Sequence, residues 1–160
     1  MFSSCVPSPA GYFVAESDGK SLSRCYFSDT APVGVSDPFT EQAAHWFRLY
    51  LTDPGTPLPH FELPAASDFS KLVWRALLRI PPGGSTTYLS LARQLGGNQY
   101  SRAVGAAVGA NPLLVLIPCH RVIGSDGSLT GYAGGIHRKE WLLAHEGLIS
   151  GVQPSLFPGS

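Results

Sequence analysis

The hydrophobic pattern of the first 66 residues predicts a β-hairpin followed by one amphipathic helix. Two β-rich runs, at 11–15 and 22–27, are separated by an Asp-Gly turn signal. Asp37 is a typical N-cap residue with Pro38 at the first helical position, and apolar residues recur at helical spacing after it. Four prolines within 54–66 indicate an extended link to the rest of the chain.

The pattern after this link predicts a mainly helical second part. A helix capped by Asp68 or Ser67 continues to residue 80, where the sequence Pro-Pro-Gly-Gly ends it. Two further helical segments, at about 86–95 and 99–109, are separated by Gly-Gly. Two short helices joined by a glycine-containing turn indicate a helix-turn-helix.

The second helix of this motif has one face with almost no side chains. Its helical periodicity turns inward Tyr100, Val104, Ala107 and Val108. The opposite face holds Ser101, Arg102, Gly105 and Gly109. Glycine within a helix costs about 1 kcal/mol relative to alanine, so these glycines need a reason. Close approach of the backbone to a partner and helix packing inside the core both remain open.

The longest apolar run, 113–117, predicts a buried strand that ends at the sequence Pro-Cys-His-Arg-Val of 118–122. A cysteine beside a histidine after a central strand is where a nucleophile can be mounted, although a buried structural cysteine is the commoner meaning. Adjacent residues of an extended chain point to opposite faces, so Cys119 and His120 pair only if the backbone turns or a water bridges them. The carboxylates that could orient the imidazole are Glu146, Glu140 and Asp126.

Composition narrows the class of protein. A chain of 160 residues with 44% hydrophobic and 14% charged residues forms one domain or two small lobes sharing a core, which excludes disorder throughout. No run approaches the length of a membrane span and no signal peptide is evident, so we expect a soluble intracellular protein. Three widely spaced cysteines fit a reducing compartment, and no metal-ligand spacing is present, so no metal is expected.

The net charge of zero hides an asymmetry along the chain. Residues 1–70 contain three basic and eight acidic side chains, and residues 71–160 contain eight basic and three acidic ones. The two parts therefore carry charges of −5 and +5. A basic second part favours an anionic partner such as nucleic acid.

Taken together, these motifs resemble those of the O6-alkylguanine-DNA alkyltransferases. The signature Pro-Cys-His-Arg-Val stands at 118–122 and is preceded by Asn111 and Pro112 at the family's spacing. Further family segments follow in order across 68–147, at 68–69, 80–81, 87–88, 101–105, 131–135, 139–143 and 146–147. Residues 1–67 resemble the variable N-terminal lobe of the family only loosely.

The resemblance implies an α/β fold in two lobes. Residues 1–66 would form an N-terminal α/β lobe with an RNase H-like sheet and a helix. Residues 67–147 would form a mostly helical lobe with the helix-turn-helix and the active site. Separately, the prolines and glycines of residues 148–160 predict a mobile tail. The implied activity is DNA repair, in which a cofactor-free monomer in the cytoplasm or nucleus flips an O6-alkylated guanine from double-stranded DNA.

In such a protein the alkyl group is transferred irreversibly to a cysteine, which the resemblance assigns to Cys119. His120 would be the base, acting through a bound water, and Glu146 the carboxylate that orients it. Asn111 would support the turn around the thiolate. Tyr88 would donate a proton to the leaving guanine.

Further roles concern recognition of DNA and of the damaged base. Arg102 would fill the gap that the flipped nucleotide leaves. The other expected DNA-binding residues are Tyr100, Ser101 and Gly105. The base pocket would be lined by Val122, Tyr132, Ala133, Gly134 and Gly135. The zinc site of some relatives does not carry over, because Cys5 and Cys25 are out of register with it.

Three other functions remain as alternatives. A lesion-binding relative without repair activity would lack the acceptor cysteine, which is present here. A transcription factor would need long base-reading side chains along 101–109, where only Arg102 qualifies. A Cys-His hydrolase would turn over and would need an oxyanion hole.

Overall fold

The computed structural model describes residues 1–148, so most of the tail predicted at 148–160 lies outside the described residues. The chain begins with a three-stranded antiparallel sheet in the order β1 (Phe2–Ser8), β2 (Gly11–Ser17) and β3 (Leu22–Ser28). The predicted hairpin is β2 and β3. The pattern missed β1, an edge strand whose serines and Pro7 interrupt the alternation of apolar residues.

The helix α1 (Pro38–Thr52) covers this sheet and begins as predicted. Asp37 accepts a hydrogen bond from the Thr40 backbone N–H at 2.9 Å, and the Thr40 hydroxyl accepts one from the Asp37 N–H at 3.0 Å. This reciprocal pair satisfies two donors at the helix start. On the buried face, the ring of Phe47 stacks on that of Phe13 in the sheet, with centroids 4.2 Å apart.

The second part is helical, as predicted, and contains one very short parallel strand pair. Its elements are α2 (Asp68–Leu78), β4 (Thr86–Thr87), α3 (Tyr88–Leu95), a 3₁₀ turn (Asn98–Tyr100), α4 (Ser101–Gly109), a second 3₁₀ turn (Cys119–Arg121), β5 (Val122–Ile123) and α5 (Ile136–His145). Ser67 caps α2 by accepting from the Ser70 N–H at 3.1 Å. The helices α3 and α4, joined through Gly-Gly and the first 3₁₀ turn, form the predicted helix-turn-helix.

The prediction of a strand at 113–117 is wrong. Leu113 and Leu114 form only isolated bridges, and Val115 has a positive φ of 72° in the turn between them and Ile117. The side chain of Asn111 holds this turn, because it accepts from the Leu113 N–H at 2.9 Å and donates to the Ile117 carbonyl at 2.8 Å. The apolar run therefore reflects burial, and a side-chain amide replaces the backbone pairing of a strand.

The expected inward orientation of Tyr100 is also wrong. Val104, Ala107 and Val108 are buried as predicted, whereas Tyr100 is 39% exposed and stacks on Phe69 with ring centroids 5.8 Å apart. The backbone of Tyr100 has φ −90° and ψ 1° at the end of the 3₁₀ turn. This conformation takes its side chain out of the helical stripe.

One hydrophobic core continues through both parts of the chain. It contains Phe13 and Phe47 from the first part and Trp74, Leu116 and Leu142 from the second. Backbone hydrogen bonds also join the parts, since the Cys25 N–H donates to the Pro112 carbonyl at 2.8 Å. A division at residue 66 stays a prediction from sequence. Among the helices of residues 1–148, none is both long and apolar enough to span a bilayer.

Candidate active site

Cys119 and His120 lie in the second 3₁₀ turn, so the chain is not extended where they are adjacent. The Arg121 N–H closes this turn on the Pro118 carbonyl at 3.1 Å. His120 is fully buried, and its Nδ1 has no hydrogen-bond partner within residues 1–148. Its Nε2 faces a carboxylate, which leaves Nδ1 as the free nitrogen of the ring.

Of the three candidate carboxylates, Glu146 is the one in contact with His120. Its Oε2 lies 2.7 Å from His120 Nε2. Asp126 instead accepts from the Ser128 N–H in an exposed turn, and Glu140 Oε2 is buried without a hydrogen-bond partner in the described part of the chain. The structure therefore selects Glu146 among alternatives that the local pattern left open.

Glu146 accepts three further hydrogen bonds. Arg121 donates from Nε to Oε1 at 2.8 Å and from Nη2 to Oε2 at 2.9 Å, and the Tyr50 hydroxyl donates to Oε2 at 2.5 Å. Burial raises the pKa of Glu146, but the His120 and Arg121 side chains outweigh it and hold that pKa well below its usual range. Burial lowers the pKa of His120. The arrangement is a permanent anion next to a buried imidazole.

The thiol of Cys119 is almost fully buried, with 4% of the residue exposed. Burial raises the pKa of Cys119 to about 11, against the opposing effects of a hydrogen bond from Asn111 and the charge of Lys139. Lys139 is itself completely buried and donates to the carbonyls of Val122 at 2.6 Å and Thr130 at 2.9 Å. Asn111 thus stabilises both the preceding turn and the thiolate form.

Two phenols lie close to the thiol. Burial and the nearby Cys119 raise the pKa of Tyr88, whose hydroxyl lies 3.4 Å from the Thr130 carbonyl. Tyr132 is buried edge-on to the His120 ring, with centroids 6.4 Å apart, and its hydroxyl has no hydrogen-bond partner within residues 1–148. The Tyr132 hydroxyl is therefore available to a ligand next to the sulfur, whereas the Tyr88 hydroxyl already donates to the Thr130 carbonyl.

Four of the five expected pocket residues, 132–135, form a tight loop before α5. A Cβ on Gly134 would lie 2.7 Å from the Tyr132 ring, and Gly135 has a positive φ of 93°. The Gly134 carbonyl accepts from Arg138 at 3.3 Å. Ala133 is exposed in this loop, whereas Val122 is fully buried at the start of β5. The glycines are required because larger residues would displace Tyr132 or strain the backbone.

The small-residue face of α4 is open. Apart from its chain neighbours and the backbone of its own helix, a Cβ added at Gly105 or Gly109 would meet no atom of residues 1–148 within 4 Å. Helix packing inside the core is therefore not the reason for these glycines. The other reason that the sequence left open, close approach of a partner, stays a prediction. Arg102 is exposed on this helix, while the Ser101 hydroxyl is used within the turn, where it donates to the Asn98 carbonyl at 2.8 Å.

Sequence reasoning missed Tyr50, Arg121 and Lys139. Arg121 stands inside the Pro-Cys-His-Arg-Val signature. The second available signal was the helical spacing of Lys139 from the apolar residues Leu142 and Leu143 in α5. Tyr50 lies 96 residues before Glu146, and nothing local distinguishes it from an ordinary core aromatic. No group of three His, Cys, Asp or Glu side chains within residues 1–148 is placed to hold a metal ion.

Residues 68–148 match the family model described as 6-O-methylguanine DNA methyltransferase, DNA binding domain. A methylated-DNA–protein-cysteine methyltransferase of Methanosarcina acetivorans is 50% identical over 157 residues, which cover 92% of this chain and 99% of the relative. The chain belongs to the 6-O-methylguanine DNA methyltransferase family. The residue roles given above remain predictions within that family.

Two further members of the methyltransferase family match most of this chain in sequence or in structure. The methylated-DNA–protein-cysteine methyltransferase of Shigella flexneri is 46% identical over 126 residues, which cover 76% of this chain and 67% of the relative. The crystal structure of Mycobacterium tuberculosis OGT in complex with DNA has a TM-score of 0.76 and 36% identity, and the match covers 91% of this chain and 92% of that one. The mixed α/β fold predicted from sequence is confirmed by this likeness.

Proposed function

We propose that this protein repairs DNA by moving an alkyl group from O6 of guanine to the sulfur of Cys119. One observation carries the assignment of residues. Glu146 contacts a buried His120 whose Nδ1 is free, and His120 lies in the same turn as Cys119, the only cysteine of residues 67–148. Family membership supports the reaction, since relatives are named as methyltransferases with a cysteine acceptor.

The transfer is a displacement at the alkyl carbon. A bond forms between the Cys119 sulfur and that carbon, while the bond from the carbon to guanine O6 breaks and its electron pair stays with the guanine. The thiol gives up one proton and the guanine anion gains one, so the products are a neutral thioether and a repaired guanine. A thioether has no carbonyl for water to attack, so each molecule reacts once.

His120 and Glu146 make the thiol reactive. A thiol whose pKa is raised to about 11 by burial is almost entirely protonated at neutral pH. His120 takes this proton through a bridging water at Nδ1, and the Glu146 anion stabilises the imidazolium that results. The charge of Lys139 and the hydrogen bond from Asn111 stabilise the thiolate.

Tyr88 supplies the proton that the guanine anion needs. Its hydroxyl is half-buried near Cys119, where a raised pKa keeps it protonated until negative charge develops on the base. Tyr132 and the loop 131–135 enclose the base, with backbone groups at Val122 and Ala133 next to its polar edge. The tight loop limits the space for the alkyl group.

DNA reaches this site through the open face of α4. The absence of side chains at Gly105 and Gly109 lets the helix lie close to a groove, and Arg102 occupies the stack after the nucleotide is extruded. The basic charges of residues 71–160 attract the phosphates without reading sequence. Such a protein acts in the cytoplasm or nucleus, where DNA is accessible, and as a monomer.

The test is the intact mass of the protein after incubation with duplex DNA that contains one O6-methylguanine. We expect a gain of about 14 Da, a methyl group replacing a hydrogen, located by peptide mapping at Cys119. The matched controls are Cys119→Ala, which should show no gain, and Cys25→Ala, which removes the other buried thiol of the described residues and should react like the parent chain.

A titration of the protein against excess lesion and a DNA-binding measurement, read beside the mass, separate the alternatives. Repair that continues beyond one lesion per protein would favour a hydrolase. Tight binding to one DNA sequence without any mass gain would favour a transcription factor. Binding to the lesion without a mass gain would indicate a recognition module.

A further inference from the structure

Tyr50 connects the N-terminal part of the chain to the carboxylate behind His120. It lies on α1, is completely buried, and donates its hydroxyl hydrogen bond to Glu146 Oε2 at 2.5 Å. This is the same oxygen that lies 2.7 Å from His120 Nε2. Tyr50, which lies outside the helical second part of the chain, and His120 therefore both contact Oε2 of Glu146.

The position of the Tyr50 ring is fixed from several sides. It stacks on Trp46 with centroids 5.0 Å apart and on Phe47 at 5.7 Å, both on its own helix. The ring of His145 contacts it edge-on at 5.1 Å, and His145 Nε2 lies 2.8 Å from the Tyr50 carbonyl. These contacts hold the Tyr50 ring in one orientation. The hydrogen bond from its hydroxyl to Glu146 therefore costs little additional side-chain conformational entropy.

The hydrogen bonds of Glu146 are unequally distributed between its two oxygens. Oε1 accepts from Arg121 Nε, whereas Oε2 accepts from Arg121 Nη2 and Tyr50 and faces His120. Every donor on Oε2 spreads the negative charge and weakens the attraction that this oxygen exerts on a proton of His120. The strength of the histidine as a base therefore depends on what else binds Oε2.

We propose that Tyr50 is a positioning residue that sets the basicity of His120 by sharing Glu146 Oε2 with it. The inference rests on the proposed function, because it concerns the same base and the same thiol. Tyr50 limits the basicity of His120, so that the imidazole does not hold a proton permanently and its Nδ1 stays free to accept one from Cys119. The N-terminal part of the chain is in this way part of the acid-base system.

Other charged and titratable groups face the same site. Arg121 binds Glu146, and the charge of Lys139 lowers the pKa values of His120 and Cys119. Tyr132 lies edge-on to the His120 ring, and Tyr88 lies near the thiol. Within residues 1–148 the Tyr50 hydroxyl is hydrogen-bonded to Glu146 and to none of these groups. A shift in the pH profile after that substitution is therefore attributable to the bond on Oε2.

The experiment is the pH profile of Cys119 alkylation by free O6-benzylguanine in Tyr50→Phe. With one donor fewer, Glu146 stabilises the imidazolium more strongly, and the thiolate forms at lower pH. We expect the apparent pKa of the reaction to fall by about half a unit. The matched control is Tyr26→Phe, because Tyr26 also donates to a carboxylate, Glu16 at 3.2 Å, but lies in the sheet. Its profile should equal that of the parent chain.

A second variant covers the case in which Tyr50→Phe folds poorly. A fluorinated tyrosine placed at position 50 keeps the ring and is a stronger donor, and burial raises the pKa at this position so that the hydroxyl stays protonated. It should move the profile to higher pH, opposite to Tyr50→Phe. An unchanged profile in both variants, or a shift of the same sign in both, would overturn the inference. Failure of the parent chain to alkylate Cys119 would instead contradict the proposed function.

Discussion

Around Glu146 both carboxylate oxygens are in use, with Tyr50, Arg121 and His120 all within 2.9 Å of them. On the exposed face of α4 the opposite holds, since a Cβ added at Gly105 would meet no other element of the described chain within 4 Å. The first region fixes reacting groups, and the second leaves space for a large partner. Changes in the buried region should therefore alter the reaction with every substrate, whereas changes on α4 should alter only the reaction with duplex DNA.

The largest expected difference concerns Arg102→Ala. Only a duplex has a base stack to refill, and extrusion costs a few kcal/mol, so repair of O6-methylguanine in duplex DNA should slow by about 100-fold. Reaction with free O6-benzylguanine should be nearly unchanged. The measurement is the rate constant for both substrates at equal protein concentration. Equal losses on both would remove Arg102 from the role of stack filler.

A methyl group on Cys119 should destabilise the protein. The sulfur is buried in a packed turn, and extra methyl groups in such interiors cost about 1–3 kcal/mol. Protein reacted with O6-methylguanine DNA, then freed of DNA, should therefore unfold at a lower temperature than protein treated with undamaged DNA. A melting temperature that stays the same or rises would show that this region has room for the product.

Glu146→Gln tests the buried region through its charge. A neutral amide no longer stabilises the imidazolium of His120, so the apparent pKa of Cys119 alkylation should rise, by about one unit, with about tenfold less thiolate at neutral pH. This sign is opposite to that expected for Tyr50→Phe. The pH profile with free O6-benzylguanine measures it, and an unshifted profile would leave Glu146 with a structural role only.

The smallest effect is expected from Gly105→Ala, which adds a methyl group to the open face. Alanine is the better helix former, so the free energy of unfolding should increase by up to about 1 kcal/mol. The same methyl group should weaken duplex binding several-fold, with no change toward free O6-benzylguanine. Chemical denaturation and DNA titration measure the two effects. Unweakened binding would mean that α4 does not approach the duplex closely.

Local signals predicted the helix starts but not the contacts between distant residues. Asp37 caps α1 as predicted, and Ser67, one of the two candidates named with Asp68, caps α2; each acts within one helical turn. The run 113–117 was wrongly assigned because apolar composition does not distinguish a buried turn from a strand when a side chain such as Asn111 satisfies the backbone. Tyr100 was misplaced because a 3₁₀ turn before α4 breaks the periodicity.

The site was predictable as far as its residues share a motif. The signature at 118–122 contains Cys119 and His120, and the resemblance named Glu146, which does contact His120. The contact of Tyr50 with Glu146 arises only where α1 meets the residue that follows α5, and it joins residues 96 positions apart. No pattern within a single element encodes such a contact, so it emerges only from the folded chain.

The bare face of α4 has a consequence for how this surface is found by experiment. Alanine scanning detects a binding surface by removing side chains, and here most of the surface has none to remove. Apart from Arg102 and Ser101, whose hydroxyl is bonded within the turn, the scan would change the face of α4 only by enlarging Gly105 and Gly109, and the first result at these two positions would be a more stable protein. A set of substitutions to progressively larger residues at these two positions would locate the partner that an alanine scan passes over.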